Sequence, residues 1–161
     1  MLKAIKKRLK DQRGLTLIEL LAVVVILGII SAIAVPSIGG LIDNSKKDAH
    51  VANAQQMVSS AKLAVTSDEN LLNGTHYLTL NYLETAKFLD KVKDPDGDFD
   101  SYKKGAQTTI IDTLNEKAAI SYVKVVDGAI NSVKLVNSTR GVQSNTKEPV
   151  PLSGLKRGTV N

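Results

Sequence analysis

A single carboxylate within a long apolar segment is the first sign of chemistry in this sequence. From Leu15 to Val35 there are 21 residues, and Glu19 is the only ionisable side chain among them. As an α-helix this segment would be roughly 31 Å long, enough to cross the hydrocarbon core of a bilayer. A charged side chain inside a membrane costs at least ~2.5 kcal/mol, so we expect Glu19 to meet a partner of opposite charge.

Four aspartates at alternate positions form a second candidate site. They are Asp94, Asp96, Asp98 and Asp100. Closely spaced carboxylate oxygens are the ligands that Ca²⁺ prefers. In an EF-hand loop, however, glycine follows the third acid and a glutamate comes six residues later, whereas here Gly97 follows the second acid. We therefore expect a solvated turn here rather than a calcium site, and we expect no other cofactor.

Residues suited to catalysis are few. The chain has two histidines, His50 and His76, and no cysteine. The nearby Ser59, Ser60 and Asp68 do not have the spacing of a nucleophile motif or a metal motif. We therefore expect both histidines at the surface and a protein that is not an enzyme. Without cysteine, disulfides and thiolate metal sites are excluded.

The positive charge of the chain is concentrated before the apolar segment. The chain has 21 basic and 16 acidic residues. Met1–Gly14 contains six of the basic residues and one of the acidic ones, so the rest of the chain carries 15 of each. Basic residues beside an apolar span stay in the cytoplasm. The sequence therefore predicts a cytoplasmic leader over 1–14, a membrane helix over 15–36 and an extracytoplasmic domain over 37–161. The basic pI belongs to the leader and does not argue for nucleic-acid binding.

The junction between leader and helix resembles the N-terminus of type IV prepilins. The matching residues are Gln-Arg-Gly-Leu-Thr-Leu-Ile-Glu-Leu-Leu from Gln12 to Leu21, followed by the aliphatic run and Pro36. The resemblance implies that a membrane-embedded prepilin peptidase cuts after Gly14 and N-methylates Leu15. Leu15 stands where phenylalanine is commoner in this family.

The same resemblance implies a role in assembly for Glu19, Thr16 and Pro36. Glu19 would pair with the free amine of a neighbouring subunit. The implied partners are other copies of the chain, minor pilins, the peptidase, the pilus assembly platform and the membrane. A nucleic acid would be a partner only of a DNA-uptake filament.

The periodicity predicts an α+β fold with a long N-terminal helix packed against a small antiparallel sheet. Beyond Pro36, apolar residues recur at helical spacing up to Val65, and Asn73-Gly74 is a stop signal. Thr79 is a candidate cap for a short helix that ends before the turn at Asp94-Pro95-Asp96-Gly97.

The second half of the chain has β patterns. A short strand is predicted over Thr108–Asp112, and a hairpin joins strands Ala119–Val126 and Ala129–Val136 through Asp127-Gly128. The apolar face of this hairpin should cover the long helix with Val123, Val125, Val133 and Leu135. From Asn137 onward we expect irregular chain with at most one weak strand.

The N-terminus admits a second interpretation, a secretory signal peptide cut after Ala32-Ile33-Ala34. The length of the apolar run, the presence of Glu19 and the helical pattern beyond Pro36 argue against it. N-terminal sequencing distinguishes the two, because a prepilin would begin at Leu15 and a secreted domain at Val35.

Three functions remain open from the sequence. The first is a structural subunit of a type IV pilus, which is a membrane protein before assembly and part of a cell-surface filament afterwards. The second is a pseudopilin of a type II secretion or competence DNA-uptake machine. The third is a membrane-anchored binding domain that never assembles.

Overall fold

The computed structural model describes residues 16–161. The predicted cleavage site, Gly14 and Leu15, lies outside the described residues. The elements are helix α1 (Leu17–Ser67), strand β1 (Thr75–Thr79), helix α2 (Leu80–Thr85), and strands β2 (Tyr122–Val126), β3 (Ala129–Val136), β4 (Gly141–Val142) and β5 (Val150–Pro151). Three short 3₁₀ helices, Glu69–Leu72, Leu152–Gly154 and Arg157–Thr159, complete it. The predicted α+β fold is confirmed.

The chain divides into two compact units, the first ending at Leu41 and the second comprising Ile42–Asn161. In the first unit the side chains of α1 are exposed, apart from the half-buried Ala34. Leu17 is 84% and Ile33 is 69% exposed although both are large and apolar. This part of α1 is long and apolar enough to cross a membrane. Such a surface needs lipid or other apolar helices around it.

The second unit, called the head below, is built on the remaining part of α1. One face of this helix is buried and consists of His50, Val51, Ala54, Met57, Val58, Ser60, Ala61, Ala64 and Val65. The spacing of three and four residues is that of a helix lying on a core. The same core cluster contains Val123, Val125, Val133 and Leu135 of β2 and β3. The predicted packing of hairpin on helix is confirmed.

The sheet is antiparallel in the order β1-β2-β3-β4, and β5 also pairs with β3. Its central hairpin turns at Asp127-Gly128, where φ is +47° and +76°. Two successive positive φ angles are what a two-residue type I′ loop requires, so the predicted turn is confirmed. Strand β1 was not predicted, and it pairs along β2 from Thr75–Val126 to Thr79–Tyr122.

Four predicted element bounds are wrong, including the end of α2, and two short strands, β4 and β5, lie after Asn137, where at most one was predicted. Helix α1 ends at Ser67, before Asn73-Gly74, because the Asp68 carboxylate accepts the backbone N–H of Asn70 at 3.0 Å and starts a 3₁₀ turn. Strand β2 begins at Tyr122 instead of Ala119. The segment predicted as a strand over 108–112 forms only one isolated bridge, between Ile111 and Tyr77.

Thr79 caps α2, as predicted, although that helix ends early, at Thr85. Its hydroxyl accepts the N–H of Tyr82 at 3.0 Å and donates to the carbonyl of Gln107 at 2.8 Å. Thr79 is fully buried, so water cannot replace either bond. This one side chain therefore joins the start of α2 to the loop that precedes β2.

We expect Thr79→Val, which keeps the shape but removes the hydroxyl, to lower the free energy of unfolding by about 1–2 kcal/mol. Thr79→Ser, which keeps both bonds, should cost less. The measurement is urea unfolding followed by tyrosine fluorescence, because all four tyrosines lie in the head and the chain has no tryptophan. Equal losses for the two variants would contradict the role of the hydroxyl.

Candidate functional site

The start of α1 holds Glu19 in a defined position. Its Oε2 atom accepts hydrogen bonds from the backbone N–H of Thr16 at 2.7 Å and from the Thr16 hydroxyl at 2.8 Å. The Thr16 oxygen in turn accepts the N–H of Glu19 at 3.3 Å. This is the reciprocal arrangement of a capping box, and it satisfies backbone donors that a helix start leaves unpaired.

The surroundings of Glu19 are apolar and exposed. Leu17, Ile18, Leu20 and Leu21 each expose at least 57% of their surface. The structure thus brings two predicted assembly residues, Thr16 and Glu19, into direct contact. It does not bring Pro36 to them, since Pro36 is 17 positions after Glu19 within α1, about 25 Å along the helix. Ser37 donates its hydroxyl to the Ile33 carbonyl at 3.1 Å, beside Pro36, which has no N–H to donate.

The comparison with protein families identifies this N-terminal segment. Residues 9–35 match the family model of the prokaryotic N-terminal methylation motif. The chain carries a prepilin-type cleavage and methylation motif. No curated protein and no solved structure matches the chain. The motif and the apolar helix that follows it are similar to the N-terminal segment of type IV prepilins and pseudopilins.

The head contains the acidic turn predicted from the sequence, but the environment of its carboxylates differs from the prediction. The turn itself is confirmed, since the Gly97 N–H donates to the Asp94 carbonyl at 3.2 Å. The expected solvation is wrong for two of the four acids, because Asp94 is 1% exposed and the carboxylate of Asp96 is 9% exposed. Asp98 and Asp100 are exposed, as expected.

Arg140 is the main partner of the buried part of this turn. Its Nε and Nη2 atoms donate to the two oxygens of Asp96 at 2.5 and 2.8 Å, and its Nη1 donates to Asp43 at 2.6 Å. Lys46 lies 3.3 Å from the same carboxylate of Asp96. A planar guanidinium can make such paired bonds, whereas an ammonium cannot. Arg140 therefore fastens the loop after β3 to both α1 and the acidic turn.

The electrostatics of this group follow from its geometry. The Arg140 guanidinium holds the pKa of the Asp96 carboxyl well below its usual range, against the effect of burial. The two aspartates correspondingly raise the pKa of Arg140. Asp96 and Arg140 are therefore both ionised at neutral pH.

His50 is fully buried, so its predicted surface position is wrong. Its Nε2 lies 2.9 Å from Asp96 Oδ2, and its Nδ1 lies 2.8 Å from the hydroxyl of Tyr102, which also accepts from Asn53 at 3.0 Å. Both ring nitrogens of His50 therefore have a hydrogen-bond partner inside the head. The sequence did contain a signal, because His50 is four residues before Ala54 on the apolar face of α1.

The acidic turn and His50 also resemble a small ligand set. One ligand atom each of His50, Asp94 and Asp96 lies within 4.8 Å of the others. Asp94, however, already accepts from the Asn137 amide at 2.7 Å, and Asp96 is bound by Arg140. A divalent ion would have to displace a guanidinium that already neutralises the carboxylate. The geometry favours an ion-pair network that holds the head together.

We expect Arg140→Met to lower the free energy of unfolding of the head by about 2–3 kcal/mol, because it leaves the buried Asp96 with fewer partners. Arg140→Lys should give an intermediate loss, since one charge remains without the paired bonds. Arg157→Met is the matched control: its pair with Asp48 is open to water, so its loss should destabilise the head far less than the loss of Arg140. Urea unfolding measures all three, and a loss for Arg157→Met as large as that for Arg140→Met would contradict the assignment.

The pH dependence of stability has a definite sign. An unfolded aspartate has a pKa of about 3.9, and Asp96 in the fold has a lower one, so unfolding takes up a proton in acid. The stability contributed by Asp96 is fully present above about pH 5. It is lost progressively as the pH falls below the pKa of the unfolded aspartate towards the lower pKa of the folded one. The difference in free energy of unfolding between the wild type and Asp96→Asn should therefore shrink from neutral pH to about pH 3. A difference that stays constant would contradict the depressed pKa.

Proposed function

We propose that this protein is a structural subunit of a type IV pilus. The observation that carries the proposal is a methylation motif joined to a helix whose first 25 residues, 17–41, leave their apolar side chains exposed. In the proposed cycle the apolar part of α1 is held in the membrane, a peptidase cuts after Gly14, and the same helices then pack together in a filament.

Glu19 has a specific part in this cycle. Cleavage after Gly14 creates an amine on Leu15, four residues before Glu19. We propose that the amine of an incoming subunit binds Glu19 of a subunit already in place. Thr16 fixes the rotamer of Glu19, so the carboxylate is oriented before the partner arrives. A subunit docked out of register would leave an unpaired charge among aliphatic side chains, which costs roughly 3–5 kcal/mol.

The pair therefore selects register more than it adds attraction. The attraction itself would come from the exposed aliphatic surface between Leu17 and Leu41, which becomes buried when helices associate. This division explains why one carboxylate is tolerated in the membrane segment. The leader would remain in the cytoplasm and the head outside, because the six basic residues are on the leader side.

The described part of the head fits a structural subunit. Between residues 16 and 161 each histidine contacts aspartate, and neither contacts a serine, threonine or cysteine side chain. His76 bonds Asp112 at 2.6 Å through Nδ1 and the Asn73 carbonyl at 2.8 Å through Nε2, so both ring nitrogens are occupied. The partners that we propose are other copies of the chain, minor pilins, the peptidase, the assembly platform and the membrane.

We expect Glu19→Gln to be inserted and cleaved normally but to reduce the yield of sheared extracellular fibres at least about tenfold, the effect of losing ~1.4 kcal/mol or more at a contact. Glu69→Gln, an exposed acid on the first 3₁₀ helix, is the charge-matched control and should assemble normally. Gly14→Val is the second control and should keep its 14-residue leader, as mass spectrometry of the membrane fraction would show.

The same experiment separates the alternative functions. Wild-type assembly by Glu19→Gln would contradict the register role. If the wild type forms no long fibres and the Glu19→Gln strain loses secretion or DNA uptake, the chain would instead be assigned to a pseudopilin. A fully functional Glu19→Gln strain in which no filament of any length forms would favour a membrane-anchored binding domain.

A further inference from the structure

The head contains a concave polar site that the filament role does not use. A cavity of about 390 Å³ opens beside the loops that follow β3 and β4. Five basic side chains line it, namely Lys103, Lys117, Lys134, Arg140 and Lys147, and we call it the basic pocket. No aspartate or glutamate is among its lining residues in the described part of the chain. The chain after Gly14 carries equal numbers of acids and bases, so this is a local concentration of charge.

Within the part of the chain that the structure describes, much of this positive charge has no counter-ion. Arg140 is neutralised by two aspartates, and Lys117 lies 3.5 Å from Glu148 at the surface. Across residues 16–161, no carboxylate lies within 4.0 Å of the ammonium groups of Lys103, Lys134 or Lys147. Three cations around one concavity repel each other, and an anion between them relieves that repulsion.

Lys134 distinguishes the basic pocket from a group of surface lysines, because it anchors the pocket from inside the head. It is fully buried, and its ammonium donates to the carbonyls of Glu116, Ala118 and Lys147 at 3.1, 2.7 and 2.5 Å. Buried charges are normally paired with an opposite charge, and this one has only carbonyl dipoles. Burial, together with the charge of Lys147, lowers the pKa of Lys134, and a bound anion would oppose both effects.

The same three hydrogen bonds fix the walls of the pocket. They attach β3 to the segment that carries Lys117 and to the loop that carries Lys147. On the opposite wall the backbone of Lys103 is fastened to Val136 and Ser121, with N···O distances of 2.9 and 2.7 Å. The basic side chains are thus presented by a fixed frame, which lowers the entropic cost of binding a small ligand.

The rest of the lining indicates which class of anion would fit. It consists largely of amide and hydroxyl side chains, including Gln143, Ser144, Asn145 and Asn161, and it contains no aromatic residue. Amides and hydroxyls both donate and accept, so they suit a ligand rich in hydroxyl groups. Without an aromatic side chain the pocket offers no stacking surface for nucleobases. Its volume is in the range of sites for small molecules.

We propose that the basic pocket binds an anionic saccharide unit, a sugar that carries a carboxylate, sulfate or phosphate. Lys103 and Lys147, which are both exposed, would bind the acidic group, and the amides and hydroxyls would bind the sugar hydroxyls. The head would then recognise acidic glycans whether or not the chain forms a filament. The proposal does not rest on the assembly role of Glu19.

The test uses the full-length protein in a polyoxyethylene detergent. The probes are three sugars, namely glucuronate, glucose 6-phosphate and glucose, with inorganic phosphate and duplex DNA as comparison ligands. Ligands that bind the folded head raise its urea-unfolding midpoint, which tyrosine fluorescence reports, and the dependence on concentration gives Kd. We expect saturable shifts with both acidic sugars and a Kd at least about tenfold weaker for glucose. Sodium chloride at equal ionic strength should weaken the binding of the acidic sugars and produce no saturable shift itself.

The variant Lys103→Gln/Lys147→Asn removes two unpaired cations from the basic pocket. Asparagine suits position 147 because φ there is +64°, a conformation that asparagine tolerates. Lys62→Gln/Lys93→Gln is the matched control, since both lysines are exposed and neither lines the pocket. We expect at least about a tenfold rise in Kd for the pocket variant and less than about twofold for the control. Unfolding without ligand verifies that both variants fold.

Four outcomes would overturn the proposal. The first is the absence of any saturable shift with either acidic sugar up to about 100 mM, and the second is an equal loss of binding in the control variant. The third is inorganic phosphate binding as tightly as glucose 6-phosphate, which would assign the pocket to free oxyanions. The fourth is duplex DNA that binds through Lys103 and Lys147 when neither sugar does, which would assign it to a phosphodiester backbone.

Discussion

The head depends on one packing contact, between the small-residue face of α1 and the inner face of the hairpin β2–β3. Ala54, Ala61 and Ala64 are fully buried on the helix side, and Val123 and Val125 are fully buried opposite them. Small side chains on one surface and branched ones on the other form one continuous apolar core. Because a shift by one residue would turn each valine of β2 to the other face, this contact also fixes the register of the sheet.

With that contact in place, the long C-terminal part of the head still has to be held without a disulfide. Ionic contacts to α1 do so at two points: Arg140 reaches Asp43, and Arg157 reaches Asp48. The two are not equivalent. Arg140 is largely buried and also binds Asp96. The pair of Arg157 with Asp48 is open to water and is screened by salt. The C-terminal part of the head is thus held mainly by the ion pairs of Arg140. Unlike a disulfide, these ion pairs weaken when acid protonates the aspartates.

Local features of this fold could be predicted from the sequence, and long-range ones could not. The hairpin at Asp127-Gly128 and the cap at Thr79 were predictable because each depends on the conformational preferences of adjacent residues. Strand β1 has only five residues, and its pairing with β2, about 50 positions away, is what makes it a strand. The partners of Arg140 are 44 and 97 positions away, so no spacing rule connects them.

The same distinction applies to the candidate sites. The methylation motif was predictable because a peptidase reads consecutive residues, and Glu19 stands out against an apolar background. The capping bonds from Thr16 add the orientation that the sequence did not show.

The basic pocket is the opposite case, because its lysines come from separate segments of the chain. The carbonyl contacts of Lys134 help to bring together the segments that carry Lys117 and Lys147. The residues for which we propose a role in assembly therefore lie in one short stretch of the chain, and the exposed lysines for which we propose ligand binding lie on loops around β3. The loops can change in sequence without altering the proposed assembly helix, provided that Lys134 or an equivalent group keeps their frame in place.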